Sequence, residues 1–153
     1  MNDKDIDAIL DLAIAKEEEA YAFYRKLESQ VNDDAIKETM AFLAGEEEKH
    51  KAFLSDYKNG KYGTIQFRTT DVTDYKIAEH FETPDAVTKN EDAYLLAAHR
   101  ELESYKFYTA LADIHPEGEV KSILLQIASE ELKHKEKVEY LYSNAAFLQT
   151  DGG

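Results

Sequence analysis

Two glutamates and a histidine recur at the same spacing in each half of this sequence. Glu17 is followed thirty residues later by Glu47, with His50 one helical turn beyond; Glu101 is followed thirty residues later by Glu131, with His134 one turn beyond. Positions i and i+3 of a helix project from one side, so Glu47 with His50, and Glu131 with His134, can grip one centre together. Carboxylate and imidazole are donors that suit Fe, Mn or Zn. A Glu from each of two helices plus Glu-x-x-His from each of two more is the donor set of a two-metal carboxylate site inside a bundle. Four carboxylates neutralise two divalent ions and leave positive charge to spare once both are trivalent, which suits redox chemistry with O2 or H2O2. A metal that cycles is then needed, so two Fe ions per chain are expected at Glu17, Glu47, His50, Glu101, Glu131 and His134, with Mn or Zn as substitutes.

The motif alone is weak, because about one residue in five is acidic and five histidines are present. His80, His99 and His115 act as internal controls: Ile77, Leu96 and Ala112 stand three residues before them. What removes coincidence is the register around the motif. Shifting the sequence by 84 residues, without a gap, lays Glu17, Glu19, Tyr21, Phe23, Tyr24 and Leu27 on Glu101, Glu103, Tyr105, Phe107, Tyr108 and Leu111. The same shift lays Ala44, Glu46, Glu47, Lys49, His50 and Lys51 on Ala128, Glu130, Glu131, Lys133, His134 and Lys135. Conserved packing accounts for the aromatic and aliphatic members of this internal repeat. It does not account for carboxylates among inward-facing residues, where an unpaired charge is costly. Glu18, Glu19, Glu28, Glu46 and Glu48 read instead as solvated helix faces.

Four helices must position these residues. Ile6, Ile9, Leu10, Ala13, Ile14, Tyr21, Tyr24 and Leu27 are spaced by threes and fours and predict a helix over 3–30. Asn32-Asp33-Asp34 supplies a loop and N-cap for a second helix, carrying Ile36, Met40, Leu43, Ala44, Phe53 and Leu54 and ending near Asn59-Gly60. The pattern fades over about 59–88, through a β-prone TIQF stretch and a TTDVTD run, with a short helix expected around 75–81. Thr88-Lys89-Asn90-Glu91 reads as a capping box for a third long helix, and His115-Pro116 separates it from a fourth. The second hairpin is expected over about 89–142, with a flexible tail at 145–153. Two antiparallel hairpins joined by a long crossover make a single all-α domain, a four-helix bundle of ferritin-like connectivity.

Composition narrows the function classes. A formal net charge of −14 disfavours nucleic-acid binding and favours cations. The absence of cysteine excludes disulfides, thiolate metal sites and a Cys nucleophile. The polar, acidic start MNDKDIDAIL does not resemble a signal peptide, and no apolar stretch approaches the ~20 residues of a membrane span. A soluble, cytoplasmic protein is expected.

The segments AKEEEAYAFYRKL, LAGEEEKH, HRELESYKFYTAL and IASEELKH, one per helix, resemble the rubrerythrin-like branch of the ferritin-like superfamily. Matched residue by residue, the family's ligands fall on the same six positions. The resemblance implies reduction of hydrogen peroxide by ferrous iron, and a homodimer. Two departures stand out. Rubrerythrins proper carry a C-terminal rubredoxin domain, whereas this chain has no Cys, so electrons are expected from a separate donor such as a rubredoxin. They also use a further Glu one turn after the third-helix ligand, where this sequence has Ser104. Tyr24 and Tyr108, two turns after Glu17 and Glu101, either hydrogen-bond a ligand carboxylate and tune the metal or are ordinary core tyrosines. The expected function is therefore a di-iron oxidoreductase acting on H2O2 or O2. The alternatives are a ferroxidase that handles iron without peroxidase turnover, and a purely structural bundle.

Overall fold

The computed structural model describes residues 3–60, 75–115 and 117–147. Five helices follow in order: α1 (Asp3–Gln30), α2 (Asp34–Lys58), α3 (Ile77–His80), α4 (Asp92–Asp113) and α5 (Glu119–Phe147). The four long ones are the two predicted hairpins, α1 with α2 and α4 with α5, and α3 is the short helix expected in the crossover. The β-prone TIQF stretch and the TTDVTD run lie outside the described residues.

Local chemistry sets the helix ends. Asp33 caps α2 by accepting the Ile36 N–H at 3.0 Å. Gly60, at φ +78°, takes the left-handed conformation that follows the last turn of α2, and its N–H reaches the Tyr57 carbonyl. The start of α4 differs from the expected capping box. Here the Asp92 carboxylate reaches back to accept from the Thr88 N–H, the Thr88 hydroxyl and the Lys89 N–H, so one side chain inside the helix organises the turn before it. Asn90 Oδ1 is used elsewhere, accepting the Asn32 N–H at 3.0 Å. Helix α5 begins at Glu119 rather than at the His115-Pro116 break, with Pro116 outside the described residues. It also runs on to Phe147, so 145–147 are helical where a tail was expected; residues 148–153 lie outside the described residues.

Two contacts fix the direction of the crossover. Asn32 with Asn90 places the α1–α2 turn beside the start of α4, while Lys58 with Asp11 places the end of α2 beside the start of α1. The end of α2 and the start of α4 therefore lie at opposite ends of the bundle. Between them in sequence, α3 docks on the second hairpin. The buried Glu139 carboxylate accepts the Ala78 N–H at 2.8 Å, and Lys135 Nζ, also buried, pairs with Glu139 at 3.1 Å and Glu79 at 3.2 Å.

The apolar core is divided. One cluster joins Ala20, Tyr24, Leu27, Met40, Leu43, Ala97, Ala98 and Val138 among others; the second joins Leu10, Ala13, Phe53, Leu54, Tyr108, Leu111, Leu124 and Ile127 among others. Along every long helix the switch from one cluster to the other falls at the recurring polar residues: Glu17 between Ala13 and Ala20, Glu47 and His50 between Ala44 and Phe53, Glu101 between Ala98 and Tyr108, Glu131 and His134 between Ala128 and Val138. A polar layer crosses the bundle between two hydrophobic halves.

Candidate metal centre

All six residues of that layer are buried, with Glu17, Glu47, Glu101 and Glu131 at 1% exposure or less. They form two overlapping groups whose donor atoms lie within 4.8 Å of one another: Glu17, Glu47, His50 and Glu131, and Glu47, Glu101, Glu131 and His134. Glu47 and Glu131 belong to both groups, while Glu17 with His50 and Glu101 with His134 each belong to one. Both imidazoles turn Nδ1 inward. His50 Nδ1 lies 3.2 Å from Glu131 and 3.6 Å from Glu17; His134 Nδ1 lies 3.6 Å from Glu47 and from Glu101 and 3.8 Å from Glu131. The rings are nearly parallel, at 22°, with centroids 6.1 Å apart.

The donor atoms fit metal ions. Glu17 Oε2, Glu47 Oε1, Glu101 Oε2, both oxygens of Glu131 and His134 Nδ1 are buried and make no hydrogen bond. Buried polar atoms are nearly always satisfied, and leaving one unsatisfied costs about 1–3 kcal/mol. Six of them converging in one layer is the arrangement a cation would satisfy.

Without a cation the layer must hold protons. Burial pushes the Glu47 carboxyl well above its usual value, helped by repulsion from Glu131, Glu17 and Glu101. Glu131 is raised likewise by burial and then by Glu101 and Glu17. Glu17 moves down: burial opposes the shift, but the Glu47 carboxyl beside it, His50 and the Tyr108 phenol outweigh it. Burial would lower both histidines, yet Glu17 and Glu47 raise His50, and Glu101, Glu46 and Glu47 raise His134 well above the usual imidazole value. This is the response expected of anionic donors packed together in a dry layer.

Both tyrosines bond to carboxylates of the layer, and they do so crosswise. The buried Tyr24 hydroxyl on α1 donates to Glu101 Oε1 on α4 at 2.6 Å, and the Tyr108 hydroxyl on α4 donates to Glu17 Oε1 on α1. Burial and the adjoining carboxylates push both phenols well above their ordinary value, so they stay protonated donors. The crossed pair ties the two hairpins together through the site.

One residue read as solvated belongs to the site's surroundings. Glu46 is only 22% exposed in its side chain and sits 3.8 Å from His134 Nε2, the ring nitrogen turned away from the cluster; His134 holds its carboxyl down to about 2. Its position next to Glu47, and its repeat in Glu130, were the available signal, but adjacency to a ligand places most residues on an outer face. Phe42 packs edge-on against the His134 ring and carries Lys137 Nζ over its own face at 3.9 Å. Glu18, Glu19 and Glu48 are exposed as expected, and Glu28 pairs with Arg25 at the surface. The control histidines stay apart: His99 Nε2 lies 2.9 Å from the Phe81 carbonyl, and neither His80 nor the buried His115 joins the cluster. Ser104 is buried. No helix among the described residues is long and apolar enough to cross a membrane.

Fold and layer together define a helical bundle built round a buried carboxylate and histidine cluster. A family model described as Rubrerythrin matches residues 8–142, and the chain belongs to the rubrerythrin family. A search of curated proteins finds no match. Among solved structures, a hypothetical protein from Pyrococcus furiosus is similar over 90% of this chain and 88% of its own, with a TM-score of 0.63 and 23% identity. That likeness concerns the fold.

Proposed function

We propose that this protein is a di-iron oxidoreductase that reduces hydrogen peroxide, or dioxygen, with electrons from a separate donor. The observation that carries it is the convergence of six orphaned buried donor atoms in one layer of the bundle. Glu17, Glu47, His50, Glu101, Glu131 and His134 would hold two ions, and ferrous iron held there would supply the two electrons that, with two protons, take H2O2 to two waters. The protein's own groups do the rest. Tyr24 and Tyr108 fix the Glu101 and Glu17 carboxylates from the opposite hairpin, and the two apolar clusters keep bulk water from the layer. The two histidines and two raised carboxyls carry protons that metal loading must release. We assign the electrons to a separate donor such as a rubredoxin, since the sequence offers no cysteine for a thiolate iron centre.

The buried Ser104, standing where the resemblance puts a further Glu, favours a second reading, iron oxidation without reductive turnover. One experiment separates them. Protein loaded anaerobically with Fe2+ is assayed for metal content, mixed with H2O2 or with O2, and then given a reduced rubredoxin. Two irons per chain, fast oxidation by peroxide and repeated turnover support the oxidoreductase. One round of oxidation with no turnover supports the ferroxidase. Metal content at background sinks both.

A further inference from the structure

The internal repeat makes the two faces of the bundle comparable, and they are not alike. Between α1 and α2 a cavity of about 140 Å³ is lined by Glu17, Glu18, Tyr21, Glu48 and Lys51. Its inner wall includes Glu17, a member of the candidate metal cluster that is 1% exposed and whose Oε2 makes no hydrogen bond. Its outer residues are solvent-exposed acids, with Lys51 Nζ 3.2 Å from Glu18 Oε1 across the mouth. Shifted by 84 residues, Glu18 and Glu48 become Leu102 and Leu132, while Glu17, Tyr21 and Lys51 keep their types as Glu101, Tyr105 and Lys135. On the second hairpin Leu102 packs against the core, and Lys135 is turned inward to Glu139 and Glu79, beneath the docked α3. Among the described residues, the second hairpin carries leucines and the docked α3 at these positions, whereas the first carries a cleft with an acidic rim and the buried Glu17 in its inner wall.

We propose that the α1–α2 cleft is the access path by which divalent cations reach the buried centre, with Glu18 and Glu48 drawing them in and Lys51 bridging the mouth until one arrives. This rests on the metal reading given above. Glu18 and Glu48 differ between the repeats at the two places where charge at the mouth would matter. The Lys51–Glu18 pair is about half exposed, and a solvated ion pair of this kind is weak, so an incoming dication displaces the ammonium at little cost. The cavity has room for several waters, so a cation can shed its hydration shell in stages as carboxylates replace it. A net charge of −14 supplies a background attraction, and the cleft focuses it.

The test is the rate of metal loading, read without turnover. Metal-free protein is mixed with Co2+ in a stopped-flow instrument, the visible absorption of the bound ion is followed, and the endpoint is measured as Co2+ per chain. In the double variant Glu18→Gln/Glu48→Gln the rate is expected to fall about tenfold, within the range electrostatic steering supplies, with an unchanged endpoint. Lys51→Met should load faster than wild type. A control with the same charge change elsewhere, Glu38→Gln/Glu119→Gln, should load at the wild-type rate. A full endpoint with unaltered rate in the cleft variant, or equal slowing in the control, overturns the access path and leaves the metal site standing. Failure of wild type to bind Co2+ at all overturns the metal site itself.

Discussion

Metal-free protein should lose stability as the pH rises above about 5, and metal should restore it. Glu47 and Glu131 have folded-state values well above the 4.5 of an unperturbed carboxyl. Between that value and their raised ones, each is protonated in the folded chain and ionised in the unfolded one. The folded state binds more protons, so stability falls with rising pH, by about 1.4 kcal/mol per unit for one group and about 3 kcal/mol per unit for two. His50 and His134 act with the same sign at higher pH. Their raised values give stability that is complete below 6.5 and lost as pH climbs through the folded values. Glu17 and Glu46, both lowered, give stability present above 4.5 and lost in stronger acid, which puts the optimum of the metal-free protein on the acid side of neutrality. For a chain of this size about 3 kcal/mol corresponds to roughly 6–12 °C in Tm. The assay is thermal unfolding followed by circular dichroism, with chelated protein and with protein loaded with redox-inert Zn2+, at a series of pH values. Zn2+ binds the deprotonated donors more tightly as pH rises, so the loaded Tm should hold or increase while the metal-free Tm falls. Glu47→Gln removes one of the two carboxyls and should halve the metal-free slope. A metal-free Tm that is flat or rising between about pH 5 and 7 would refute the picture of a proton-holding layer.

Tyr24→Phe removes the donor to Glu101 Oε1 in a layer too dry for water to replace it, and should cost about 1.5–3 kcal/mol by thermal unfolding of the loaded protein; a change below about 0.5 kcal/mol would mean the bond is not made to an ionised carboxylate. Tyr108→Phe should behave alike at Glu17. Glu46→Gln withdraws a negative charge from His134 Nε2, so the His134 ring in metal-free protein should titrate at lower pH, read by NMR; an unmoved titration would detach Glu46 from the site. Lys135→Met leaves the buried Glu139 carboxylate without its cation and should destabilise by about 3–5 kcal/mol, with Lys135→Met/Glu139→Gln recovering most of the loss. Hydrogen exchange at the Ala78 amide should quicken in the single variant, because Glu139 is what holds it.

The six converging residues were legible because duplication printed them twice in a periodic background. Packing could explain Tyr21, Phe23 and Leu27 recurring, but not carboxylates recurring on the face that Ala13, Ala20 and Tyr24 bury. Helix spans were legible for the same reason of period, and α1 falls on its predicted residues. What escaped depends on relations between helices, which period does not encode. The spacing put Tyr24 on the face of Glu17, yet its hydroxyl belongs to Glu101, because a side chain two turns along reaches the neighbouring helix before it reaches back. Glu46 looked solvated since helical geometry places it beside Glu47 and off the inward face; only the approach of α5 brings His134 to it. The turn before α4 was misassigned because Thr88 and Asn90 are equally good caps in isolation. Asp92 wins by collecting three donors at once while Asn90 is drawn to the first hairpin.

The departures from the repeat carry as much information as the repeat. A duplicated hairpin paired with itself would give two equivalent faces, each with a lysine at position 51 or 135 and a tyrosine at 21 or 105. Among the described residues α3 breaks that equivalence, because it packs on the second hairpin. Where α3 docks, the duplicated lysine is buried and paired with Glu139, and the residues at 102 and 132 are leucines suited to a covered face. On the other face the equivalent lysine lies across an acidic cleft that ends at Glu17. The two-fold donor set and its one-sided surroundings thus have separate origins: the duplication places the six donors, and among the described residues α3 packs beside Lys135 on the second hairpin while the equivalent Lys51 lies at the acidic cleft.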